Sequence, residues 1–141
     1  WLEDESHLIG TVFIPESIWK TMRNAPVVYL DIPMQARAIY LADIYGKYPA
    51  GEVETALQKI AKRLGGQHYK EALELYRTGN LVEATEKVLV YYDKAYAHGL
   101  SNRTHENIYP IAYDTVAPEF IATICKQFVQ TGVSVQKRNY Y

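Results

Sequence analysis

The stretch that most limits what this chain can fold into is APVVYLDIP, residues 25–33. Val27 to Ile32 is nearly continuous apolar sequence, and Pro26 and Pro33 close it at both ends. Strict alternation would describe a strand with one wet face. An unbroken run describes a strand covered on both faces, as in a parallel sheet with helices around it. The segment therefore places the chain among α/β proteins and asks the rest of the sequence to supply helices and further strands.

The rest does so in three blocks. Residues 1–50 read as α/β material: TVFI (11–14) is a short β-rich run ended by Pro15, PESIWKTMRN (15–24) a helix, and MQARAIYLADIYGKY (34–48) a helix ending near Gly46. Residues 51–103 read as three amphipathic helices joined by Gly-containing turns, the third with Asn80 and Glu83 spaced as a capping box. Residues 104–141 hold IYPIAYD, an edge strand because Pro110 lacks a ladder donor, and a closing helix with Phe120, Ile121, Ile124, Cys125 and Phe128 inward and Gly132 at its end. VSVQKRNYY is expected to be a frayed or extended terminus. The expected fold is a mostly helical α/β fragment, with parallel-sheet strands near 11–14, 27–32 and 108–113 and a three-helix block.

Bulk properties narrow the function classes. The 141 residues suit one domain, and a net charge of −1 gives no global drive toward nucleic acid, so any RNA contact must come from a local patch. A single cysteine, Cys125, excludes an internal disulfide and fits a reducing compartment. No apolar run reaches membrane-spanning length, and the acidic start is unlike a signal peptide, so a cytoplasmic protein without membrane contact is expected.

Candidate chemistry sits in a few places. Glu3, Asp4 and Glu5 are either a solvated acidic turn or the polar end of a strand whose apolar half lies upstream, where carboxylates would stand near a phosphate or its metal. Whether a metal is used there is left open. Arg37 follows the strand and its turn, and its forked donors suit phosphate oxygens; a surface arginine is the plainer reading. No GxxxxGK[ST] loop occurs, and His7, His68, His98 and His105 have no metal-ligand spacing. Cys125 reads as a buried, inert thiol. Lys59, Lys62 and Arg63 cluster on one predicted helix, with Lys70 and Arg77 on the next. They form an RNA footprint or an ordinary charged face diluted by Glu52, Glu54, Glu71 and Glu74. YYDKAY (91–96) offers aromatic platforms for bases or simply helix packing.

In order, EDES-x-x-IG-x-x-x-IP, APVVYLDIP, Arg37, KRLGG, LYRTGN and YYDKAY resemble the C-terminal part of bacterial tRNA 2-selenouridine synthases over residues 1–103. The resemblance implies a piece of a P-loop-type sheet within a transferase that also carries a rhodanese-like domain with a reactive cysteine. That enzyme replaces the sulfur of the wobble 2-thiouridine of tRNA by selenium from selenophosphate, through a geranylated intermediate that needs geranyl diphosphate. It implies tRNA and the remainder of the same polypeptide as partners, and no cofactor bound by this segment. Glu3, Asp4, Glu5 and Arg37 would lie beside the phosphate site. This segment lacks the phosphate loop and the catalytic cysteine, so no activity of its own is expected, and an exposed sheet edge would invite dimerisation. Two rival readings are a fragment of a P-loop small-molecule kinase and a stand-alone helical interaction module.

Overall fold

The computed structural model of the protein describes residues 2–4, 6–9, 11–103 and 107–131. Glu5, His105, Gly132 and the closing VSVQKRNYY lie outside the described residues. The chain forms two compact units, one within Trp1–Asp31, Tyr96–Ala112 and Pro118–Tyr141, the other within Ile32–Ala95 and Tyr113–Ala117.

The first unit begins with a ribbon. Strand β1 (Leu8–Ile9) pairs antiparallel with β2 (Val12–Phe13), Leu8 opposite Phe13 and Ile9 opposite Val12. The run at 11–14 is thus a strand as expected, but not in the parallel sheet. Only two residues separate it from β1, and so short a link permits only an antiparallel return. His7 pins the ribbon. Its Nε2 donates to the carbonyl of Ile14 at 2.8 Å, and its ring stacks on Trp19 at 4.9 Å and meets Phe13 edge-on at 5.8 Å. Helix α1 (Glu16–Asn24) follows, starting after Pro15, whose φ of −53° already suits a helix entry.

Strand β3 (Val27–Asp31) pairs in parallel with β4 (Ile108–Ala112), in a register that runs from Val27–Ile108 to Asp31–Ala112. Among the described residues this parallel sheet has two strands. Among the described residues, coverage on both faces is not reached: Val27, Val28, Leu30 and Asp31 are half-buried and Tyr29 is exposed, while Ile32, just past the strand, is buried. Pro110 stands opposite Tyr29 on a strand with a single neighbour, where a missing N–H is tolerated. Helix α6 (Pro118–Thr131) buries Ile124 and half-buries Ile121, Cys125 and Phe128, whose ring meets Tyr109 edge-on at 5.2 Å. Phe120, in the first turn, is exposed, and Cys125 is less enclosed than its apolar stripe suggested.

The second unit is helical. It contains α2 (Met34–Tyr45), α3 (Ala50–Leu64), α4 (Gly66–Arg77) and most of α5 (Leu81–Ser101). Its core is built from Ala38 and Ala42 of α2, Leu57 and Leu64 of α3, Ala72 of α4, and Ala84 and Leu89 of α5. Four of these seven are alanines, and small side chains at the contacts let helix axes approach closely. Between α3 and α4, Gly65 has φ of 91°, a backbone state that costs any other residue dearly, so a single glycine turns the chain. Asn80 precedes α5, but its side-chain amide donates to Thr78 Oγ1 rather than closing a box with Glu83. Among the described residues, no helix is long and apolar enough to cross a membrane.

Candidate functional site

Within the acidic run, Asp4 is an ionic anchor. Arg103, just beyond α5, has a side chain only 2% exposed, and its partner Asp4 is 19% exposed. Arg103 Nε donates to Asp4 Oδ2 at 2.8 Å and Nη2 donates to Asp4 Oδ1 at 2.6 Å. Nη2 also donates to the carbonyl of Met22 at 3.0 Å, and Nη1 to those of Arg23 at 2.9 Å and Ala25 at 3.1 Å. A guanidinium has five N–H groups, and all five are satisfied. Three of those bonds close carbonyls at the end of α1, where unsatisfied backbone oxygens and the negative end of the helix dipole both favour a cation. Arg23 joins the cluster, donating to Gly99 O at 3.2 Å with its guanidinium 5.6 Å from the centre of the Trp19 ring. Asp4 is thus the counter-ion of a buried arginine. Glu3 is exposed.

Arg37 also has a carboxylate partner. Its Nη1 and Nη2 donate to Asp93 Oδ1 and Oδ2 at 2.6 and 2.9 Å, and its Nε donates to Ile32 O at 2.9 Å. The fork that was expected to face phosphate ties the turn after β3 to α5, at a half-buried position. Neither Arg103 nor Asp93 was singled out from sequence. Asp93 lies inside YYDKAY, but a partner 56 positions away leaves no local signal, and Arg103 sits in a polar stretch without periodicity.

The predicted basic residues separate into two groups. Arg77 is spent on Glu54, with Nε to Oε1 at 2.9 Å and Nη2 to Oε2 at 2.7 Å. The hydrogen bond from Arg77, opposed by a cost of burial and helped in lesser measure by the Arg77 charge, holds the Glu54 carboxyl below its ordinary 4.5, and Glu54 in turn raises Arg77. Glu71 is held down likewise, first by its hydrogen bond from Lys87 and then by Gln67. Lys70 lines a shallow depression with Glu71, Glu74, Leu75, Glu83 and Lys87, a mixed-charge surface. By contrast, Lys59, Lys62 and Arg63 are exposed and form no ion pair among the described residues. Lys59 and Lys62 each fall two positions from a buried leucine of α3, Leu57 and Leu64, which puts them on the side away from the core.

The tyrosines of YYDKAY divide in the same way. Tyr91 and Tyr92 are half-buried and pack edge-on, ring centres 5.2 Å apart, whereas Tyr96 is exposed. Among the described residues, no three His, Cys, Asp or Glu side chains gather as a metal site would require.

Comparison with known proteins bears on these features. The family model described as the tRNA 2-selenouridine synthase AAA domain matches residues 1–127. The chain is 28% identical to the tRNA 2-selenouridine synthase of Chromohalobacter salexigens, over 77% of the chain and 38% of that protein. It is 28% identical to the synthase of Aeromonas salmonicida and 30% identical to that of Shewanella frigidimarina, each over 77% of the chain and 37% of the relative. The chain therefore spans well under half the length of these relatives. No solved structure matches it.

Proposed function

The chain belongs to the tRNA 2-selenouridine synthase family, which its AAA-domain model matches over residues 1–127, and from that premise we propose that it works within an enzyme that exchanges sulfur for selenium in the wobble 2-thiouridine of tRNA. Selenophosphate is the selenium donor in this reading, geranyl diphosphate supplies the geranylated intermediate, and neither is turned over by this segment alone. The segment's own task is to hold tRNA with the outer face of α3. Family membership favours this reading over the small-molecule kinase and the stand-alone module.

One observation carries the RNA-gripping role: among the described residues no carboxylate neutralises Lys59 and Lys62, on the side of α3 opposite its buried leucines, or Arg63, exposed on its flank, while Arg77 on the next helix is neutralised by Glu54. Free cations on a rigid helix suit backbone phosphates, whose neutralisation releases counterions. Arg37 belongs to the same proposal in a different capacity. An incoming phosphate would have to compete with Asp93 for its fork, so Arg37 would contact phosphate only after that pair opens.

The test compares tRNA binding by the full-length protein and its Lys59→Glu, Lys62→Glu, Arg63→Glu variant across a salt series. If these residues contact phosphates, the slope of log affinity against log salt falls by about two to three. An unchanged slope would remove α3 from the interface.

A further inference from the structure

Tyr45 and Tyr48 expose 51% and 52% of their surface, with ring centres 6.1 Å apart and planes tilted by 43°. They flank a turn that is held in place. The Gly46 N–H donates to Ala42 O at 2.9 Å and the Tyr48 N–H to Tyr45 O at 3.1 Å. A β-carbon on Gly46 would come within 2.8 Å of the Ala42 carbonyl and 2.9 Å of Leu81 Cδ1, so the turn is packed against the start of α5. The rings ride on an ordered corner of the second unit.

Charge indicates what would cover them. Helix α3 starts two residues after Tyr48, and its free cations, Lys59 to Arg63, lie about 14–20 Å along the axis from that start. Of the two carboxylates on the way, Glu54 is neutralised by Arg77, and Glu52 is exposed in the first turn, nearer the tyrosines than the cations are. Among the described residues, Lys47, between the two tyrosines, pairs with Asp43 at 2.7 Å, and both side chains are 70% exposed, a kind of pair that contributes little and yields readily to a phosphate. Aromatic faces and, several nucleotide spacings along the same unit, a group of cations are the two elements that bind unpaired nucleotides: rings stack the bases and cations follow the backbone.

We propose that Tyr45 and Tyr48 form a stacking platform for unpaired bases of an RNA strand whose backbone follows α3. The inference rests on the tRNA-gripping role of α3 and adds the base contact to it. The YYDKAY run does not serve this purpose, because two of its three rings are half-buried.

The test uses the full-length protein with Tyr45 and Tyr48 changed together to Leu or together to Phe, titrated with oligouridylate and with a blunt RNA duplex. The Leu pair should weaken oligouridylate binding about five- to a hundredfold, leave the salt slope intact and leave duplex binding unchanged. The Phe pair should bind as the parent does. Equal oligouridylate binding by the Leu pair, or equal loss by the Phe pair, overturns the platform. Should the Leu pair fold poorly, photocrosslinking of a bromouridine strand to the parent decides: crosslinks at Tyr45 or Tyr48 support the platform and crosslinks confined elsewhere overturn it. If the α3 charge reversal lowers the salt slope while the Leu pair changes nothing, the platform fails and the role of α3 stands.

Discussion

Changing Asp4 to Asn should destabilise the first unit by about 3–5 kcal/mol, because it strips the counter-ion from a buried arginine. Two charge-assisted bonds, at 2.6 and 2.8 Å, depend on the carboxylate. Each such bond contributes about 1.5–3 kcal/mol. Asparagine keeps one oxygen for one of them and turns an amide N–H₂ toward the other, so a donor faces a donor. Arg103 stays charged and has nowhere to go: at 2% exposure its guanidinium cannot reach water, and three of its N–H groups remain committed to the end of α1. Urea unfolding followed by tryptophan fluorescence is the assay, since Trp19 lies in α1, the helix those bonds close. The transition should move to lower urea with the slope retained. Loss below about 1 kcal/mol would refute the argument and return Asp4 to the class of surface acids whose ion pairs contribute little.

Two further perturbations probe the helical unit. Gly65→Ala places a side chain at φ of 91° with no neighbouring atom within 4 Å, so its cost is backbone strain alone, about 1–3 kcal/mol by thermal melting; a neutral result would mean that the α3–α4 corner relaxes freely. The Glu54 and Glu71 carboxyls are both held below 4.5 in the folded protein, so the stability they contribute is present above that value and drains away as pH falls through their depressed folded values. Urea midpoints should therefore be flat from neutral pH down to about 5 and fall below about 4.5, and Glu54→Gln should lower the neutral midpoint and flatten the acid limb. Parallel acid limbs for variant and parent would show that the Glu54–Arg77 clasp contributes nothing to that fall.

What could be read in the sequence was whatever a local pattern encodes. The run from Val27 to Ile32 gave a strand, the proline-led segment at 15–24 gave α1, the segment at 34–48 gave α2, an apolar stripe at helical spacing gave α3, and the glycine pair at 65–66 marked where α3 yields to α4. These follow from periodicity, ring-fixed φ and glycine's freedom, all local properties. The exposure of Tyr29 in β3 was not legible, because apolar sequence reports what a strand can bury, not what lies over its faces among the described residues. The ribbon partner Leu8–Ile9 went unseen because two residues make no periodicity. At the candidate site the pattern identified cations but not their state. Arg77 and Lys59 look alike in sequence, and only the carboxylate of Glu54, 23 positions from Arg77, separates them. The purpose of Asp4 was likewise hidden, since its partner stands 99 positions away.

The parallel pairing of β3 with β4 also sets a schedule for synthesis. The partner of Val27 is Ile108, and the chain between them includes the whole contiguous helical stretch of the second unit. At about 5–20 residues per second, a ribosome delivers β4 roughly 4–16 s after β3, so a half-apolar strand waits in the nascent chain with the edge that β4 will take unclaimed. The anchor waits longer still, because Arg103 follows Asp4 by 99 positions. Helices α2 to α4 meanwhile need only local neighbours and can form as they appear. The interval most exposed to misassembly is therefore the translation of residues 32–107, and the rate at which that stretch is decoded should influence the yield of folded protein more than the rate anywhere else in the chain.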